Sequence, residues 1–479
     1  MSEVAAASVQ RGDEFSLHLE GLAVEGRSIA RVNGLVVFVR GGVPGDDVRV
    51  RVTKTKKQFV EADIVEILSP SLMRVQPRCK VFGTCGGCTW QDLSYEAQLE
   101  FKRSNVVDAL ERIGKFSRPD VRPTLEAVEN FFYRNKMEFS FGDRWLTDAE
   151  LSRHSSGEEI DRFALGLHVP QRYDRIVDVD ECWLQSATSN RIVNTVRDFC
   201  RRKGLDIYST RTHEGYLRNL VIRESKKLNE IMVNLVTRDD NPTVMDELTR
   251  VLLSQIPEIT TVVNNITDRK SQVAIGDREK VYHGPGYITE KIGKRSYRIS
   301  ANSFFQTNTL QAERLYDVVL NLAALRKDDV VFDLYSGTGT IALHVADEAR
   351  AVVGIESVAV AVEDAKKNAI DNGVPNCTFL LGDLKDRLTK ENSWLEELGR
   401  PSIIIADPPR SGMQEKVVRE IETLRPHRVV YVSCNPATQA RDLQMLCSAG
   451  RYCITGIQPV DMFPHTYHIE NVVTLEAVA

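Results

Sequence analysis

From Val330 to the C-terminus the chain alternates short aliphatic and β-branched runs with stretches of helix-forming composition, a periodicity that few architectures accommodate. Val330–Leu334, Ala351–Ile355, Ile403–Ala406, Val429–Val432, Ile454–Pro459 and Asn471–Leu475 read as strands, with helices between the earlier ones. Such alternation folds as a doubly wound α/β sheet, because each crossover helix covers one face of the strands it joins. A sheet of that kind binds ligands beyond the carboxyl ends of its strands. Distinctive residues stand at those ends. Val429–Val432 leads into Ser433-Cys434-Asn435-Pro436, where Asn-Pro forces a turn and leaves Cys434 at the sheet edge. A thiol there can act as a nucleophile once its pKa is lowered, the plainer alternative being a buried structural cysteine.

Three further strand ends carry polar groups. Tyr335-Ser336-Gly337-Thr338-Gly339-Thr340 is a glycine turn opening a helix. Glu356 closes the next strand, near the distance at which a carboxylate meets ribose hydroxyls in dinucleotide folds. Gly337-x-Gly339-x-x-Ala342 fits a nicotinamide cofactor as well as S-adenosylmethionine, so this motif alone does not choose between them. Asp407-Pro408-Pro409-Arg410 ends the strand Ile403–Ala406, a turn unusual in dehydrogenases and frequent in methyltransferases acting on nucleobases.

Upstream lie two other regions, as a length of 479 residues and 42% hydrophobic content allow. Phe15–Leu22, Arg27–Arg31, Leu35–Arg40, Asp47–Lys54 and Phe59–Leu68 read as five strands of an OB-like β barrel. Its basic run Arg49, Arg51, Lys54, Lys56 and Lys57 reads as an RNA contact or a solvated edge, the former being preferred. This stretch resembles a TRAM domain, an RNA-binding module. Next come Cys79, Cys85 and Cys88, with Gly86-Gly87 letting the backbone wrap, and Cys182 as a fourth thiol from far along the chain. Spacing leaves zinc and an iron–sulfur cluster both open. Cys200, Cys377, Cys447 and Cys453 read as core. Strands at Tyr133–Gly142, Ala164–His168, Asn219–Arg223, Ile231–Val236 and Thr261–Asn265, with helices at Ser94–Ile113, Ser186–Arg202 and Pro242–Ser254, give an α+β central region with a polar loop at Asp148–Asp161. Arg134, Lys136, Arg218 and Arg223 face RNA phosphates or solvate this sheet. The segment Arg298–Asn308 places amides beside Phe304 and Phe305, suiting a flat ligand, and a helix follows to about Ala323. The expected division is 9–69, 70–305 and 306–479. A net charge of −5 excludes a uniformly basic nucleic-acid binder but not a basic face. No apolar run reaches the ~18 residues of a membrane span, and no signal peptide opens the chain, so a cytoplasmic monomer without membrane contact is expected.

The cysteine loop with Cys182, the Asp407–Arg410 turn, Ser433–Pro436 and the tail Asp461-Met462-Phe463-Pro464-His465-Thr466-Tyr467-His468-Ile469-Glu470 together resemble the RNA uracil-5 methyltransferase family over nearly the whole chain. The resemblance implies a multidomain protein with a TRAM barrel, a central α+β region and a class I, Rossmann-like methyltransferase domain. It implies Cys434 as nucleophile and Glu470 as general base. It places Gln306, Tyr335, Glu356 and Asp407 at S-adenosylmethionine, with Thr340 and Asp383 as further contacts. It favours a [4Fe-4S] cluster on Cys79, Cys85, Cys88 and Cys182. The implied partner is RNA, large-subunit ribosomal RNA before transfer RNA. A cytosine-5 RNA methyltransferase is the nearest rival, but Pro409 and Arg410 stand where that class carries a second cysteine. A redox-sensing RNA-binding protein and a nicotinamide oxidoreductase are weaker alternatives.

Overall fold

The computed structural model describes residues 9–155, 159–271, 274–388 and 398–478. The C-terminal sheet has seven strands in the order Cys377–Leu381, Ala351–Glu356, Val330–Leu334, Ile403–Ala406, Arg428–Ser433, Glu470–Ala477, Tyr452–Val460. The first five run parallel, and the last two pair antiparallel. Period-two alternation fills both faces. Val331, Ile403, Ile405, Val430 and Val432 pack on one side with Ala312, Leu315 and Val319 of the helix Thr309–Ala323. Phe332, Leu334, Ile404, Val429 and Tyr431 pack on the other with Val417, Ile421, Leu443 and Leu446. This is the doubly wound arrangement expected from the alternation. Strand order reverses beside Val330–Leu334, which opens a crevice at the carboxyl ends.

The N-terminal sheet is barrel-like, with strands ordered Glu14–His18, Asp47–Thr55, Phe59–Ser69, Leu35–Arg40, Ser28–Val32, Gly21–Leu22. It encloses Leu17, Ala30, Val37, Val39, Val48, Val50 and Val60. The expected first strand is broken in two. Within the basic run, Arg49 pairs with Glu66 at 2.8 Å, Arg51 with Glu14 at 2.6 Å and Lys54 with Glu61 at 3.2 Å. Much of that charge is answered inside the barrel itself.

The central sheet also has seven strands, ordered Arg278–His283, Thr261–Ile266, Ile231–Thr237, Leu217–Glu224, Lys136–Asp143, Phe163–Val169, Arg172–Asp178. Helices Ala187–Arg202 and Pro242–Gln255 bury one face, capped by Ser186 and Asn241. Where a polar loop was expected at Asp148–Asp161, a helix covers Asp148–Ser155, and residues 156–158 of that reading lie outside the described residues. Arg218 and Arg223 are neither phosphate-facing nor solvating: both are buried. Arg218 stacks 4.1 Å from the Tyr208 ring, and Arg223 donates to Ala301 O at 3.2 Å and Ser303 O at 2.5 Å. Cys453 is exposed rather than core, at the outer strand of the C-terminal sheet.

Two elements from upstream complete the C-terminal core. The hairpin Tyr287–Ile292 and Arg295–Ser300 contributes Ile288, Ile292 and Tyr297. The helix Tyr95–Arg112, capped by Ser94, contributes Val106 and Leu110. That helix also carries Lys102, whose ammonium meets Asp461 at 2.5 Å with both side chains fully buried. Tyr95 Oη donates to the other Asp461 oxygen at 2.9 Å. Removing one partner of such a pair strands a buried charge. Lys102→Met should therefore cost about 3–5 kcal/mol of unfolding free energy by chemical denaturation. Lys102→Met combined with Asp461→Leu should regain most of it, and an unchanged midpoint in the single variant would contradict this account.

Candidate active site

Strand register brings the sequence-predicted residues together. Leu334 lies opposite Ala406 on one side and Ile355 on the other, so the next residues, Tyr335, Asp407 and Glu356, emerge at neighbouring strand ends. Ser433 lies opposite Asn471 in the antiparallel pair. One step further, Cys434 and Glu470 leave that pair side by side. Glu470 is the first residue of its strand and opposes Val460 on the other flank.

The chemistry of the pocket follows from burial and neighbouring charge. Cys434 is half-buried, and burial first, then Glu470 and Asp407, push its thiol up to about 11. The Arg410 guanidinium opposes this, by its charge and by a hydrogen bond to the sulfur. Burial raises Asp407 to about 7. Burial, then the Asp407 charge, lifts Glu470 well above the usual carboxylate range, against a counter-pull from Arg410. Two carboxyls held this way do not both ionise readily, so the pair keeps a proton into the neutral range. Arg410 Nη2 lies 3.0 Å from His468 Nδ1. Burial and Arg410 hold that imidazole down at about 4, which leaves it neutral. The strand end is rigid: Asn435 caps the helix Pro436–Ser448, and Asn435 Nδ2 and Thr438 Oγ1 donate to Arg410 O at 3.0 and 3.1 Å.

The glycine turn is shaped for a ligand. Gly337 has φ +53° with open space around its missing side chain, whereas Gly339, at φ +77°, has Phe379 where a Cβ would stand. Ser336 Oγ and Asp333 Oδ1 are buried without a partner among the described residues. Glu356 accepts from the amides of Gly337 at 3.1 Å, Ser357 at 2.7 Å and Val358 at 2.9 Å. Asn135 Nδ2 holds Gln306 O at 2.8 Å, and the neighbouring Phe304 is 72% exposed. Thr340 is turned inward, its hydroxyl 3.0 Å from Tyr316 Oη. Asp383 caps the short helix Leu384–Arg387 and pairs with Lys385 at 3.0 Å. Both are therefore engaged within the protein.

Cys79, Cys85, Cys88 and Cys182 line one pocket with Phe82, Leu167 and Leu184. None is disulfide-bonded. Burial pushes the Cys85 and Cys88 thiols up to about 12 and raises Cys182. Gly87 N–H and Gln91 Nε2 point at Cys85 and Cys88 sulfurs at 3.4 and 3.5 Å. Among the described residues no group of three or more His, Cys, Asp or Glu is closed around a single metal-ion position. The loop is stitched to the tail before Glu470: Thr89 and Trp90 amides donate to His465 O at 2.8 and 3.0 Å. Gln98 Oε1 accepts from His465 N at 2.8 Å.

The pattern described as tRNA (Uracil-5-)-methyltransferase matches residues 265–478, and that of the TRAM domain matches residues 8–65. A relative from Chlorobaculum tepidum, described as an uncharacterized RNA methyltransferase, is 44% identical over 98% of this chain and 97% of its own length. The chain belongs to the tRNA (uracil-5-)-methyltransferase family. A Bacteroides thetaiotaomicron RNA methyltransferase is 43% identical over 95% of this chain and 100% of its own. The crystal structure of Pyrococcus abyssi tRNA (uracil-54, C5)-methyltransferase with S-adenosyl-L-homocysteine superposes with a TM-score of 0.74 at 29% identity, covering 96% of this chain and 100% of that one.

Two groups had no role in the sequence reading: Arg410, beside Cys434, and the Lys102–Asp461 pair, which fixes the tail before Glu470. Arg410 had a signal, a cation directly after the Asp-Pro-Pro turn. Lys102 had none, because its partner lies hundreds of residues away. The charges around Cys434 predict its reactivity. Alkylation by iodoacetamide, followed on the Cys434 peptide by mass spectrometry, should climb about tenfold per pH unit toward pH 11. Glu470→Gln should speed it at pH 8 and Arg410→Met should slow it, while equal rates in all three proteins would contradict the assignment of neighbours.

Proposed function

We propose that this enzyme methylates C5 of a uridine in RNA, with Cys434 as nucleophile and Glu470 as general base. The observation that carries the reading is the emergence of Cys434 and Glu470 side by side from the Ser433–Asn471 pair, with Asp407 at the neighbouring strand end. C5 of uracil is too weak a nucleophile to take a methyl group unaided. Addition of the Cys434 thiolate to C6 turns the ring into an enolate with its electron density at C5. Arg410 favours the thiolate, whose proton leaves to water, so that the Asp407–Glu470 pair keeps one carboxylate free for the later proton transfer. S-adenosylmethionine, held by Gln306, Tyr335, Glu356 and Asp407, supplies the electrophilic methyl group that C5 accepts. Glu470 then removes the C5 proton, and the returning electron pair expels Cys434 from C6. A carboxylate whose affinity for protons is raised suits that step. The donor set fits the cofactor: Ser336 and Asp333 carry unanswered polar atoms, and the space over Gly337 is open. Thr340 and Asp383 take part only if each gives up its present partner.

We infer that Cys79, Cys85, Cys88 and Cys182 hold a [4Fe-4S] cluster. Four thiols lining one pocket, with N–H donors aimed at two of them, suit such a cluster. With four protein thiolates no iron is left open for substrate chemistry, so the cluster's work is structural. The barrel and central sheet, about 9–69 and 70–305, would grip RNA, and 306–479 would catalyse. TRAM and the four cysteines support large-subunit ribosomal RNA as substrate. The likeness to the Pyrococcus abyssi enzyme supports transfer RNA as the second reading. Among the described residues no helix is long and apolar enough to cross a membrane, and an RNA substrate supports a cytoplasmic location.

Two variants separate the catalytic roles. Cys434→Ala should abolish methylation and every covalent RNA adduct. Glu470→Gln should transfer the methyl group but stall before elimination, leaving a protein–RNA species on a denaturing gel that carries the labelled methyl. Normal turnover by Glu470→Gln without that species would defeat the base assignment. For the cluster, anaerobic purification should give a brown protein with about four irons and four sulfides. One zinc and no iron would overturn it.

A further inference from the structure

Beside the cysteine loop lies a group of aromatic and cationic side chains that no step of the proposed chemistry uses. Arg78, directly before Cys79, sets its guanidinium 4.3 Å from the Phe131 ring centroid and 5.6 Å from that of Trp183. Trp183 meets Phe131 edge-on at 6.4 Å and Phe132 at 5.5 Å. Phe131 lies 4.2 Å from the His465 ring, in the tail that leads to Glu470. Among the described residues these three rings belong to none of the hydrophobic cores. Phe132 is 37% exposed, and Arg78 is exposed. Arg78, Phe131 and Phe132 border a surface pocket whose rim also carries Glu126 and Glu129.

The backbone at Phe132 sharpens the case. Its φ is +57°, a left-handed conformation that a bulky L-residue adopts at a cost and glycine adopts freely. The turn is enforced from both sides: Phe132 N–H donates to Trp183 O at 2.8 Å, and Lys226 Nζ donates to Phe132 O at 2.9 Å. A large ring kept in a strained position, outside any core, points to a use at the surface.

We propose that Phe132, Trp183 and Arg78 form a stacking platform for one unpaired nucleobase flanking the target uridine. The proposal rests on the RNA methyltransferase reading and deepens it by naming a substrate subsite. Aromatic rings and a guanidinium plane offer faces on which any base can stack. Glu126 and Glu129 decide which part of the strand is held, since they repel a phosphate but not the uncharged face of a base. Withdrawing the target base from its stack leaves its neighbours unstacked, and the platform replaces a lost neighbour. The contact between Phe131 and His465 joins it to the tail that runs to Glu470.

The test uses the full-length protein and fluorescein-labelled single-stranded oligouridylate and oligoadenylate of about 12 nucleotides. Tryptophan fluorescence and label anisotropy are followed for wild type, Phe132→Gly, Trp183→Ala and Trp183→Phe. Wild-type fluorescence should be quenched on binding, and Trp183→Phe should lose most of that quenching while keeping its affinity. Phe132→Gly and Trp183→Ala should bind about tenfold more weakly. Phe132→Gly should melt no lower than wild type, because glycine suits that backbone, so its weaker binding is not unfolding. Equal affinities in all four proteins, absence of quenching, or no binding by wild type overturns the platform. The same proteins are offered a 5-fluorouridine oligonucleotide, whose fluorine cannot leave as a cation and which therefore traps the Cys434 adduct. If wild type forms no adduct, the catalytic reading fails and the quenching still decides the platform. If the adduct forms while affinities stay level, the platform alone fails.

Discussion

The buried ion pair between Lys102 and Asp461 ties together parts of the chain that carry different tasks. Lys102 stands on the helix that follows the cysteine loop, and Asp461 opens the tail that ends in Glu470. An ammonium and a carboxylate buried from water are costly unless each is fully answered. Here Tyr95 Oη and the Phe463 amide also serve the carboxylate, at 2.9 and 3.1 Å, and Phe463 O accepts from the ammonium at 3.0 Å. The tail is held there further by the Thr89 and Trp90 amides, which donate to His465 O, and by Gln98 Oε1, which accepts from His465 N. Glu470 starts its strand at the end of this clamped segment.

Electrostatics in the pocket set a resting state distinct from the reacting one. Burial and two nearby carboxyls outweigh Arg410, so the Cys434 thiol stays protonated at neutral pH. A proton taken up by either carboxyl removes a charge that opposes the thiolate, while Arg410 keeps favouring it. Thiol, carboxyl pair and guanidinium thus form one coupled acid–base unit, and under the proposed mechanism the Cys434 thiolate forms most cheaply once that unit has redistributed its protons.

Much of this architecture was legible because local rules and the global fold agree. The helices capped by Ser94, Ser186, Asn241 and Asn308 begin where the sequence placed them, and the apolar runs of the C-terminal half became strands buried on both faces. The strands Arg278–His283 and Arg295–Ser300 escaped because they are short and polar, with partners that only tertiary structure supplies. Arg223 read as facing phosphates or solvating the sheet, and its partners are backbone carbonyls on a distant loop. Thr340 sat in the right motif, yet its hydroxyl is committed to a buried tyrosine from another helix. Strand-end residues were readable since register alone places them. Side chains answered across the fold were not.

The central claim, uridine C5 methylation by Cys434, is tested most directly in the RNA of the cell. Nucleoside mass spectrometry of ribosomal and transfer RNA would be compared between cells carrying the intact gene, lacking it, or carrying only the Cys434→Ala form. The account predicts one 5-methyluridine present with the intact gene and replaced by plain uridine in the other two. Identical 5-methyluridine in all three, or loss of 5-methylcytidine instead, would contradict it.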